Sequence, residues 1–181
     1  MWNPSSLVPA GMHPWLLLIS VVLLFTVNRY MKQLVAAVLP PPLRLQFAWS
    51  EVRASKILDK WSDADKRAVR LNLALDFVFV VIYVVGLTVA CALAANALDA
   101  AHWPGGGGMG GVFMRAIIIA GLLDVVENVA QLLMLAGAKA QPWPALASVC
   151  ASIKFLLATV TILYVLYGGA AFVCHYLEAR K

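Results

Sequence analysis

Four long apolar runs, near residues 14–38, 71–98, 112–138 and 144–170, are separated by basic, glycine-rich or short polar stretches. Each has the roughly 20 mostly apolar residues that a helix needs to cross about 30 Å of hydrocarbon. The pattern predicts an all-α polytopic membrane protein: a single membrane domain over residues 1–181, built as an antiparallel four-helix bundle. The first run is the least regular, because Asn28, Arg29, Lys32 and Gln33 interrupt it. Either it ends near Tyr30 or its basic side chains snorkel to one interface, and Pro40, Pro41 and Pro42 end it firmly in both cases.

The third run breaks the pattern from within. GLLDVVENVAQLL, residues 121–133, sets Asp124, Glu127, Asn128 and Gln131 inside an apolar helix. At about 100° per residue these four fall within one third of the circumference, opposite Leu122, Val125, Val126, Val129 and Leu133. The fourth run has a matching stripe of small or weakly polar residues, Ala147, Cys150, Ala151, Ala158, Thr161 and Gly168, in which Lys154 is the one strong charge. Small residues let helices approach closely. At about 1.5 Å of rise per residue, Glu127 and Lys154 both sit roughly 15 Å from the same end of the bundle, which predicts an ion pair between them. Asp124 is then the carboxylate without an obvious cation. On the second run Asp76, Phe79, Val80, Tyr83, Leu87 and Cys91 share a face. Tyr83 reaches the depth of Asp124 and is expected to donate to a midplane carboxylate, whereas Asp76 lies nearer the basic end and is expected to pair with side chains near Arg70.

Composition agrees with a bilayer setting. The chain has 181 residues, 62% of them hydrophobic and 13% charged, against about 25% charged in a soluble domain. The net charge of +5 comes mostly from residues 29–70, where Arg29, Lys32, Arg44, Arg53, Lys56 and Lys60 precede Lys66, Arg67 and Arg70. Such clustering is read as topology and not as nucleic-acid binding. The loop at 39–70 is then cytoplasmic, and both termini are non-cytoplasmic. Within it, SEVRASKILDKW (50–61) places Ala54, Ile57, Leu58 and Trp61 on one helical face and Arg53, Lys56 and Lys60 on the other, the pattern of a short amphipathic helix lying on an anionic leaflet. SDAD, residues 62–65, resembles a capping box that starts the second long helix. HWPGGGGMGG (102–111) is expected to be a flexible turn without regular structure, and no strand or G-K-[ST] accompanies it to suggest a phosphate loop. Residues 1–15 place no basic residue before the first run, so that run is expected to be retained as a membrane helix. Cys91, Cys150 and Cys174 show no paired spacing and read as small core residues. No histidine falls in the four runs as the Glu-x-x-His pattern of di-iron bundles needs, and no metal or cofactor is expected.

FAWSEVRASKILDKW (47–61), followed by LDFVFVVIY (75–83) and LDVVEN (123–128), resembles a group of uncharacterised bacterial four-helix membrane proteins with LDFxFxxxY-like and LDxxEN-like spans. The resemblance implies a bacterial inner membrane and carries no assigned activity.

An ionised side chain at the middle of a membrane helix costs about 2.5–3.5 kcal/mol on insertion scales, so Asp124, Glu127 and Lys154 must find partners within the protein. Several readings follow. The seam of Asp76, Tyr83, Asp124, Glu127, Asn128, Gln131 and Lys154 clips the bundle together; or it binds a ligand, lipid or proton or docks a membrane partner; or, alternatively, it belongs to a small proton- or ion-coupled transporter or channel subunit; or a carboxylate serves as an intramembrane acid or base. The expected partners are the bilayer itself and a membrane protein or second copy docked on the seam.

Overall fold

The structure is a computed structural model that describes residues 12–138 and 140–180; the first eleven residues, on which the expectation of a retained first run chiefly rests, lie outside it. Among the described residues six helices follow in order: α1 (His13–Leu34), α2 (Leu43–Gln46), α3 (Glu51–Leu58), α4 (Asp63–Ala100), α5 (Gly107–Leu135) and α6 (Trp143–Glu178). There is no strand among the described residues. α1, α4, α5 and α6 are each long and apolar enough to cross a membrane, and together they form the expected bundle of a multi-pass membrane protein.

The four spans are not equivalent. α4, α5 and α6 pack on one another pairwise, while α1 leans mainly on α4. Only 6% of the apolar stretch of α1 is buried inside the protein, against 39%, 33% and 28% for α4, α5 and α6. α1 therefore presents most of its surface outward, with Trp15, Leu18, Val22 and Phe25 exposed. Its seat on α4 is narrow: Ser20 packs where a Cβ on Gly86 would come within 2.9 Å, and Asn72 donates to the Met31 carbonyl at 3.2 Å. α1 ends at Leu34, short of the proline run.

α4 starts eight residues earlier than the apolar run because the cap lies in the polar segment. Ser62 Oγ accepts from the Asp65 N–H and the Asp65 carboxylate accepts from the Ser62 N–H, which closes a capping box. With 38 residues, about 57 Å at the usual rise, α4 projects beyond a hydrocarbon core of about 30 Å.

The glycine-rich stretch corrects the expectation of a flexible, irregular turn. Gly107 opens α5, and its N–H donates to the Asp99 carboxylate at 3.1 Å, so the last turn of α4 caps the first turn of α5. A Cβ on Gly106 would overlap Asp99 Oδ1, and one on Gly110 would meet Ala95 at 2.7 Å. Glycine is used here for close approach.

The amphipathic helix is also placed differently. α3 forms with Ser50 as its N-cap, but Ala54, Leu58 and Trp61 are buried against Ala130, Met134, Leu135 and Ala147 at the ends of α5 and α6. Its apolar face is therefore occupied by protein and not by lipid. Two hydrogen bonds hold this end shut: Trp61 Nε1 donates to the Pro40 carbonyl at 2.8 Å, and the Arg70 guanidinium donates to the Leu135 carbonyl at 3.0 Å, at the C-terminus of α5.

The α4–α6 crossing depends on Gly168, where a Cβ would lie 2.4 Å from the Ala94 Cβ and 2.6 Å from its Cα. Gly169 faces open space. Gly168→Val is expected to destabilise the folded protein by about 1–3 kcal/mol or more, whereas Gly169→Ala changes it by less than about 0.5 kcal/mol. Unfolding of both variants in detergent checks this contrast.

Candidate functional site

α5 supplies the centre of the site. Asp124, Glu127, Asn128 and Gln131 recur at three- and four-residue spacing, share one face and are all buried, while Leu122, Val126 and Val129 opposite them are exposed. α6 answers with Ala147, Cys150, Ala151, Lys154, Thr161 and Gly168, each buried. Lys154 keeps only 8% of its surface exposed.

The lysine meets two carboxylates. Its Nζ lies 2.7 Å from Glu127 Oε2, the pair expected from matched depth, and it also donates to Asp124 Oδ1. Asp124 is thus not the carboxylate without a cation: the two acids stand about one turn apart, and a single flexible lysine stem ends between them. The remaining oxygens are engaged as well. Asp124 Oδ2 accepts from the Tyr83 hydroxyl at 3.1 Å, and Glu127 Oε1 accepts from Gln131 Nε2 at 2.9 Å. The Tyr83 bond joins α4 to the pair made by α5 and α6.

Asp76 departs from expectation. Its Oδ2 accepts from Asn128 Nδ2 at 2.7 Å, and Arg70 is turned instead to the end of α5. Six residues along a helix rotate a side chain through about 240°, so Arg70 and Asp76 do not share a face. With Asp76 included, the cluster brings three carboxylates to one ammonium. Asn128 Oδ1 is buried without a hydrogen-bond partner among the described residues.

One side of this cluster is open. A cleft of about 460 Å³ lies between α1 and α6, with Asp76, Tyr83, Asp124 and Lys154 at its polar floor. Its walls are apolar: Leu24 from α1, Phe79 and Leu87 from α4, Phe155, Ala158 and Ile162 from α6. Leu43 and Gln46 of α2 close it at the basic end. The Lys154 ammonium stands 5.3 Å from the Phe155 ring centroid, and Phe155 stacks on Phe47 at 6.1 Å. A charged floor beneath apolar walls is the arrangement of a small-molecule site, in which few polar groups fix orientation and the apolar lining gives affinity.

No protein family, curated protein or solved structure matches the chain. The resemblance carried by FAWSEVRASKILDKW, LDFVFVVIY and LDVVEN rests on those three stretches alone.

Sequence reasoning reaches the seven polar residues and misses the walls. Phe155 and Ile162 lie off the small stripe of α6, where a sequence pattern alone offers them only lipid, but the outlying position of α1 makes them the side of a cleft. Gln46 gives no periodic signal, since α2 is only 4 residues long, yet its Oε1 is buried beside the cleft without a hydrogen-bond partner among the described residues. Among the described residues, no three His, Cys, Asp or Glu side chains are grouped to hold a metal ion.

Removing Lys154 strands two buried carboxylates, whereas removing either acid leaves the lysine paired. Lys154→Met is expected to cost about 3–5 kcal/mol, and Asp124→Asn or Glu127→Gln distinctly less. The triple variant Asp124→Asn, Glu127→Gln, Lys154→Met should regain most of the loss, because no unpaired charge remains. Thermal unfolding of the five proteins in detergent measures the coupling.

Proposed function

We propose that this membrane protein takes an amphipathic molecule from the bilayer into the cleft between α1 and α6, with the polar head on Asp76, Asp124 and Lys154 and the apolar part against Leu87, Phe155 and Ile162. The observation that carries this reading is the cleft itself, which ends on the buried ion cluster. A cluster serving only to clip helices together has no need of an apolar-walled opening onto it. Three carboxylates against one ammonium favour a head that donates hydrogen bonds or carries positive charge, and Gln46 Oε1, without a hydrogen-bond partner among the described residues, adds another acceptor.

The same excess of carboxylates favours proton-coupled transport as a second reading, since intramembrane carboxylates on two packed helices, joined to a lysine on a third, are the usual material of proton relays. Catalysis has the cavity it requires beside Asp124. Both Asp124 oxygens are already engaged, by Lys154 and by Tyr83, which favours binding over base chemistry. The clustering of basic residues from Arg29 to Arg70 supports a cytoplasmic position for the α2–α3 end, with both termini on the other side of a bacterial inner membrane.

A diazirine-bearing long-chain alkylamine, photolysed with the protein in nanodiscs, tests the binding reading. Label is expected on peptides containing Leu87, Phe155 and Ile162, to fall of the order of tenfold in Asp124→Asn, and to be blocked by Ala158→Phe. Labelling that is equally strong at Leu122 and Val126 on the far side of α5, and indifferent to Ala158→Phe, would contradict it.

A further inference from the structure

The two short helices at the basic end form a second concavity, of about 480 Å³, whose chemistry is unlike that of the central cleft. Its apolar floor is made by Leu43, Phe47, Ala48 and Ile57, and its rim carries Arg44 on one side with Arg53, Lys56 and Lys60 on the other. All four cations are exposed, and no carboxylate pairs with them among the described residues. Neither Glu51 nor Asp59 lines the groove.

The fold holds these charges together. Ala54, Leu58 and Trp61 anchor α3 in the bundle, so the basic edge of α3 has a fixed direction, and the Trp61 bond to the Pro40 carbonyl ties the facing wall to it. Four like charges around one groove repel one another, and the repulsion is relieved by an anion placed among them. Leu43 lines both this groove and the membrane-level cleft, which puts the groove where the spans leave the hydrocarbon and lipid headgroups lie. A floor of Leu43, Phe47 and Ile57 offers nothing to a free phosphate ion, but it suits the first carbons of a lipid chain.

We propose that the groove between α2 and α3 binds the phosphate headgroup of a phospholipid with net negative charge, with Arg44, Arg53, Lys56 and Lys60 on the phosphate and the apolar floor beneath the glycerol and upper chain. The site is separate from the occupant of the central cleft and stands whether or not that cleft binds a ligand.

The test uses the full chain in nanodiscs containing phosphatidylglycerol and phosphatidylcholine, with retained lipid read by native mass spectrometry. Arg44→Gln with Lys56→Gln takes one cation from each wall. Lys66→Gln with Arg67→Gln removes the same charge from the start of α4, outside the groove. The groove pair is expected to lower retained phosphatidylglycerol about tenfold relative to phosphatidylcholine, and the α4 pair less than about twofold. Equal losses in both pairs, or no loss in the groove pair, would overturn the proposal. So would complete displacement of the lipid by inorganic phosphate, which would make the site one for the free ion.

Discussion

Lys154 sits between Asp124 and Glu127, and most of the bundle's geometry follows from what that contact demands. A bilayer offers no water to these three groups, so their partners have to come from the protein. Meeting that demand fixes which face of α5 turns toward α6 and the depth at which the two helices stand. Tyr83 and Asp76 then bring the matching face of α4 to the same level. Ala147, Ala151 and Gly168 complete the arrangement by letting backbones approach closely enough for the side chains to meet.

The cluster satisfies most of its members internally, but it is not sealed. α4, α5 and α6 surround it on their mutual faces, while α1 rests on α4 at Ser20 and Asn72 and leaves the side toward α6 uncovered. The opening is thus a product of unequal packing: three helices share a core and the fourth stands beside it. At the basic end, α2 and α3 act as a floor. They close the cleft with Leu43 and Gln46 and present their own charged groove to the outside.

The polar seam was legible because side chains at three- and four-residue spacing inside an apolar run have one physical explanation, a buried face. Glu127 and Lys154 were matched by counting depth alone. Asp124 was misjudged because a count gives one level per residue, whereas a lysine stem spans about a turn and serves two acids. Asp76 departs from expectation because proximity in sequence to Arg70 does not carry helical phase, and six residues turn the two side chains to different faces. The walls of the cleft were not legible at all: whether Phe155 faces lipid or lines a cavity depends on where α1 stands, and α1 carries no pattern that says so. The glycines at 106–111 and the apolar face of α3 were misread for a related reason. Each suits two environments, and tertiary contacts with Asp99 and with Met134 decide between them.

One ammonium is shared by two carboxylates inside the membrane-spanning bundle. Solid-state NMR of the protein in lipid bilayers, with ¹⁵N-labelled lysine and ¹³C-labelled aspartate and glutamate, observes that contact directly. Through-space correlations are expected from a single lysine Nζ to both an aspartate and a glutamate carboxyl carbon, and they are expected to disappear in Lys154→Met. Correlations that survive in the variant, or a lysine Nζ that meets no carboxyl carbon in the native protein, would contradict that sharing.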